Sequence, residues 1–263
     1  MEFFDSHAHY NDEKFDNDRE IIIDKVYKSG VTRLINAGYS LESSKHALEI
    51  AKQYNWMYTI SGISPNDIAD DSEELDKQLK ELESFILKEK KHNKIVAIGE
   101  IGLDYYWNKE NIELQKKAFI RQIEIANMYE LPIVIHTREA IMDTIQILKN
   151  NEVKKRGIFH CCPLNRELVK EELKLGFYIS FAGPITFKNS KNADEIIKIV
   201  PLDKILIETD SPYLSPEPNR GKRNDSTNVK LIAEKIAIIK QINLDQIAKI
   251  TFQNACSIFE INN

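Results

Sequence analysis

At 263 residues, 42% hydrophobic and 29% charged, the chain is long enough to bury a sizeable core and has the composition of a soluble globular protein. Its formal net charge of −5 argues against a broad electrostatic grip on duplex nucleic acid, but leaves room for a small local phosphate site. Its three cysteines, two of them the adjacent Cys161 and Cys162, form no disulfide framework, and no apolar stretch approaches the ~20 residues that span a bilayer.

Met1-Glu2 runs straight into an apolar strand without a basic or apolar leader, so we expect a cytoplasmic protein with no membrane contact. Strand-length apolar runs then alternate with amphipathic stretches. A strand at Glu2–Asp5 precedes a helix at Asn17–Ser29, and Thr32–Ala37 precedes Leu41–Tyr54. Met57–Gly62 leads to Ser72–Lys90, Ile95–Gly99 to Asn111–Met128, and Ile133–Ile135 to Glu139–Asn150. Gly157–His160 leads to Asn165–Leu175, Phe177–Phe181 to Ala193–Ile199, and Lys204–Ile207 to two closing helices, Thr227–Ile239 and Leu244–Phe259. Eight strands alternating with helices are the pattern of an α/β TIM (β/α)8 barrel, and we expect one such domain over residues 1–263. The competing open, doubly wound sheet would keep its first and last strands too far apart to share a small site.

Five of the apolar runs end in a residue able to hold a metal. Phe3-Phe4 leads to His7 and His9, Ile98-Gly99 to Glu100, Ile133–Ile135 to His136, Ile158-Phe159 to His160, and Ile205–Ile207 to Asp210. Residues two apart on an extended segment point the same way, so His7 and His9 can reach one cation. Taken singly, each residue has a structural alternative: loop histidines, an ion pair for Glu100, a turn cap for Asp210. All of these must hold together for a metal site to vanish. Four imidazoles and two carboxylates exceed the needs of one tetrahedral ion. They suit two divalent metals (Zn, Mn, Co or Mg) roughly 3.5–4 Å apart with a bridging hydroxide as nucleophile.

The motifs resemble those of the TatD-type metal-dependent deoxyribonucleases. Resemblance lies in Asp5-Ser6-His7-Ala8-His9, in Ile98–Tyr105 (IGEIGLDY), in Pro132–Arg138 (PIVIHTR) and in Phe159-His160-Cys161. It continues through Gly176–Ser180 (GFYIS), Glu208–Leu214 (ETDSPYL) and Arg220–Asn224 (RGKRN). The resemblance implies hydrolysis of DNA phosphodiester bonds, as a 3′ exonuclease on single-stranded or frayed ends, with DNA as the partner. It also implies that His7, His9, Glu100 and Asp210 hold one metal, and that Glu100, His136 and His160 hold the other. Asp210 and Glu100 would be catalytic, Asp210 as acceptor of the water proton, with Arg223 and Arg138 on phosphate.

Two departures bear on substrate. Gly62-Ile63-Ser64-Pro65 has Ser64 where the family carries a histidine; serine can donate to a phosphate oxygen but cannot act as an imidazolium. Cys161-Cys162-Pro163-Leu164 replaces the usual Cys-Phe-Ser-Gly. Tyr105, with Tyr106 and Trp107, follows strand four and offers aromatic surface for unpaired bases. The rival activity is a metal-dependent esterase or deacylase acting on aminoacyl-tRNA or a small ester or amide. The rival outside enzymes is a non-catalytic metal-binding partner in a repair assembly.

Overall fold

β1 (Phe3–Ala8) is buried along its whole length, which is why its sequence reads as an unbroken apolar run up to Asp5. The computed structural model describes residues 1–262. Contacts divide the chain into two units. One comprises residues 1–36 with the chain from His160 onward, and the other comprises Ala37–Phe159.

In the first unit, β1 pairs in parallel with β2 (Val31–Ala37), through Phe3 with Val31 and Asp5 with Leu34. β7 (Tyr178–Phe181) pairs in parallel with β8 (Ile205–Ile207). First and last strands adjoin: the Ser6 hydroxyl donates to the Ile207 carbonyl at 3.0 Å, and the Asp210 amide to the His7 carbonyl at 2.9 Å. Contact between the chain's two ends is what an open sheet would not give. The helices of this unit are α1 (Arg19–Lys28), α6 (Arg166–Lys174), α7 (Ala193–Ile199), α8 (Val229–Lys240) and α9 (Leu244–Phe259). α9 begins in a capping box, with Asn243 and Gln246 each satisfying the other's backbone amide. Its Phe252 and Phe259 meet buried Phe4 of β1, with ring centroids 5.8 and 6.0 Å apart. Burying each such ring stabilises by about 1.5–3 kcal/mol.

The second unit holds β3 (Met57–Ser61), β4 (Ile95–Asp104), β5 (Ile133–Arg138) and β6 (Gly157–Phe159), parallel and paired in that order. Its helices are α2 (Leu41–Lys52), α3 (Ser72–Glu89), α4 (Ile112–Tyr129) and α5 (Ile141–Asn150). Leu75, Leu79, Leu82 and Ile86 of α3 recur at three- and four-residue spacing and are all buried. Within the units, neighbours in the chain are neighbours in the sheet: β1 with β2, β3 through β6 in order, and β7 with β8. Among the described residues no helix is long and apolar enough to cross a membrane.

One boundary differs from expectation in a way that matters. β4 runs ten residues, through Glu100 to Asp104, instead of ending at Gly99. Its register with β5 shifts between Ile98 and Ile101, after which Gly102 sits opposite His136 and Asp104 opposite Arg138. Gly102 permits this: its φ is +139°, and a Cβ there would stand 2.0 Å from the His136 carbonyl oxygen. Glu100 and His136 are therefore strand residues, with their backbones fixed by the ladder.

Candidate metal centre

In the first unit, His7 is the penultimate residue of β1 and His9 follows its end, both buried. Their Nε2 atoms lie 3.2 Å apart. Asp210 Oδ1 lies 3.1 Å from His9 Nε2 and 3.9 Å from His7 Nε2. The His160 ring stacks on His7 with centroids 4.2 Å apart, and His7, His160 and Asp210 each offer a ligand atom within 4.8 Å of the others. The backbone locks this arrangement: the His9 amide donates to the Ser211 carbonyl at 2.6 Å, beside the bond from Asp210 to His7.

Donor spacing tests whether a cation fits. Two ligands about 2.0–2.1 Å from one tetrahedral ion stand roughly 3.3 Å from each other. The 3.2 Å and 3.1 Å separations around His9 match that edge. Two ring nitrogens facing each other at such a distance can share only one proton, so a cation is the natural occupant. Burial opposes ionisation of Asp210. The His9 hydrogen bond and the neighbouring imidazoles His7 and His160 outweigh it and hold the carboxyl below its ordinary range. An ionised carboxylate among imidazoles is a divalent-metal donor set.

Behind these residues stand two buried acids. Asp5 accepts the Thr209 amide at 2.9 Å, the Thr209 hydroxyl at 2.5 Å and the His7 amide at 3.3 Å. Burial nevertheless pushes its carboxyl up to about 7. Glu208, wholly buried, accepts the Cys161 amide at 2.7 Å, and the same oxygen lies 3.3 Å from His160 Nδ1. A carboxylate beside one ring nitrogen orients the other towards a metal.

The second unit carries Glu100 and His136 on adjacent strands. Glu100 Oε1 lies 2.9 Å from His136 Nδ1, and Asp104 Oδ2 lies 2.9 Å from His136 Nε2. Asp104 is fully buried; its Oδ1 accepts the amides of Tyr106 and Trp107 at 2.9 and 3.2 Å, and its Oδ2 accepts Asn66 Nδ2 at 3.3 Å. Burial raises its carboxyl, but His136 and these donors prevail and leave it below the ordinary value. Asp104 meets the imidazole at Nε2, which leaves Nδ1, beside Glu100, as the atom that could hold a metal.

The Arg223 guanidinium is bidentate to Asp18, at 2.9 and 2.6 Å, and also donates to the Lys14 carbonyl at 2.6 Å. Arg220 of the same loop is exposed and lies 4.1 Å over the Phe187 ring, with no carboxylate at ion-pair distance among the described residues. Arg138 is exposed at the end of β5. The Tyr105 hydroxyl turns to α5, donating to Asp143 at 2.8 Å; burial first, and then this bond, push its pKa up and keep it protonated. Buried Ser64 donates to the Asp67 carboxylate and accepts the Asn66 amide at 3.2 Å. Sequence reasoning did not single out Asp5, Asp104 and Glu208. The available signal was an acid set inside or at the edge of an apolar run, within three or four residues of a ligand.

Known proteins bear on this arrangement. The profile described as TatD related DNase matches residues 4–260. The chain is 42% identical over 260 residues to the uncharacterized metal-dependent hydrolase YabD of Bacillus subtilis, covering 98% of this chain and 99% of that one. Among solved structures, the TatD homologue YJJV of Escherichia coli K12 superposes with a TM-score of 0.91 at 25% identity, covering 99% and 98% of the two chains. A hydrolase TatD family protein of Entamoeba histolytica gives 0.87 at 24% identity, covering 100% and 99%. With eight parallel strands alternating with helices, this likeness gives the TIM (β/α)8 class expected from sequence. The match along almost the whole chain, together with the donor set above, makes the protein a metal-dependent hydrolase belonging to the TatD-related DNase family.

Proposed function

We propose that the protein hydrolyses DNA phosphodiester bonds from 3′ ends of single-stranded or frayed DNA, with a pair of divalent cations (Mn, Mg, Zn or Co). The observation that carries the reading is the tetrahedral-edge spacing of His9 from His7 and from Asp210. The family pattern gives His7, His9, Glu100 and Asp210 to one ion and Glu100, His136 and His160 to the other. Such ions supply Lewis acidity at a phosphoryl oxygen and an acidic water. Asp210, ionised and beside His9, accepts the proton of the attacking water. Glu208 and Asp104 keep His160 and His136 in the tautomers that present a lone pair. Arg220 and Arg138 offer positive charge to the substrate phosphates.

Metal-stripped protein should lose cleavage of a 3′-labelled single strand and recover it with Mn²⁺ or Mg²⁺. His9→Ala and Glu100→Ala should each lower the rate by orders of magnitude. A panel including aminoacyl-tRNA and a lactone runs beside the oligonucleotides. Turnover of an ester alone, or full nuclease rate in either variant, overturns the reading.

A further inference from the structure

Trp107 and Tyr106 stand unusually open for large aromatics, at 67% and 48% exposure. Both sit one turn past Asp104, which fixes them by accepting both of their amides on one oxygen while its other oxygen holds His136. The Arg138 guanidinium lies 3.7 Å from the Tyr106 ring centroid and 5.5 Å from that of Trp107, and the two rings meet edge to face at 4.8 Å. Neighbouring Glu139 pairs instead with Lys109, at 3.6 Å. Among the described residues no carboxylate lies at ion-pair distance from Arg138.

We propose that Trp107, Tyr106 and Arg138 form a stacking subsite for an unpaired nucleobase, with Arg138 also facing that nucleotide's phosphate. The inference rests on the DNA reading above and narrows it to unstacked substrate. An indole, a phenol and a planar cation present π-faces that any base can cover, whereas a base inside a duplex already has both faces occupied. The uncompensated charge of Arg138 complements a phosphate and not a neutral or cationic ligand. Attachment through Asp104 places the subsite two bonds of the network from the His136 ligand, so a base held there positions its own phosphate relative to the metal centre.

The chain has two tryptophans, and Trp56 is buried at 8% exposure, so quenching by added nucleic acid reports on Trp107. Metal-loaded full-length protein is titrated with a hydrolysis-resistant phosphorothioate thymidine decamer, and with the same backbone lacking its bases. Quenching by the first, and about ten-fold weaker binding of the second, is the expected result. With ordinary thymidine decamer as substrate, Trp107→Ala should raise KM about ten-fold with kcat little changed, and Trp107→Phe should restore most of it. Equal binding of the two backbones, or an unchanged KM in Trp107→Ala, overturns the subsite. Base-dependent quenching without any cleavage leaves the subsite standing and removes the nuclease reading. Cleavage indifferent to bases does the reverse.

Discussion

Asp104→Asn tests the logic of the centre with the smallest possible change. In the native chain one carboxylate does two jobs: Oδ1 accepts two loop amides, and Oδ2 accepts from His136 Nε2 and Asn66 Nδ2. An asparagine keeps the shape but must put an NH2 group on one side. Facing His136 and Asn66, it sets donor against donor and drives the imidazole proton to Nδ1, the atom beside Glu100 that must present a lone pair. Facing the loop, it leaves two buried amides opposed, a cost of about 1–3 kcal/mol for each unsatisfied group. Losing such a carboxylate partner lowers metal affinity about 10- to 100-fold, which corresponds to ~1.4–2.7 kcal/mol. Calorimetric titration of stripped protein with Zn²⁺ or Mn²⁺ measures this, and a thermal melt separates it from unfolding. Native affinity in a folded Asp104→Asn variant would show that Asp104 does not control the His136 tautomer.

Three further outcomes follow from particular contacts. Glu172 on α6 is completely buried and neither carboxylate oxygen has a hydrogen-bond partner, so burial raises its carboxyl well above 4.5. The folded chain keeps a proton that the unfolded chain releases above that value, so stability falls as pH rises from there towards the folded pKa. Glu172→Met should therefore stabilise by about 1–3 kcal/mol near neutrality, a few degrees in Tm, and by less at pH 4; an equal gain at both pH values contradicts the burial argument. Arg220→Ala should raise KM for a short oligonucleotide more than Arg223→Ala does, because Arg223 is committed to Asp18 while Arg220 has no carboxylate competing for it; the reverse ranking refutes this. Gly102→Ala should cost more than about 3 kcal/mol, since strain at positive φ adds to a clash with the His136 carbonyl; a denaturant midpoint near that of the native chain would mean β4 and β5 do not approach as described.

The candidate ligands could be picked out because strand-end position and two-residue spacing are local properties. His7 and His9 are neighbours in sequence and share a direction, and nothing distant is needed to see it. The end of β4 was not legible. Gly99-Glu100-Ile101-Gly102 reads as a turn, because glycine usually interrupts a strand, yet the ladder continues there by using the missing Cβ against His136. The fate of Arg223 was hidden for a different reason. Its bidentate partner, Asp18, lies 205 positions away, and a basic run in sequence carries no record of which of its members is neutralised across space.

The acids behind the imidazoles show where local reading runs out in chemical terms. A histidine is a ligand only with its proton on the far nitrogen, and that proton's position is set by whatever the far nitrogen meets. For His136 the partner is Asp104, thirty-two residues earlier on the neighbouring strand; near His160 Nδ1, at 3.3 Å, lies Glu208, reached from β8. Each acid sits in an apolar run where an isolated charge is costly, and each is kept there by amide donors: Tyr106 and Trp107 for Asp104, Cys161 for Glu208. Asp104 divides its oxygens between loop amides and the His136 ring, whereas Glu208 turns one oxygen to both the Cys161 amide and the His160 ring. Asp5 gives the contrast. It bonds only to hydroxyls and backbone amides, faces no imidazole nitrogen, and burial lifts its carboxyl to about 7, which is the behaviour of a structural tie between β1 and the segment after β8.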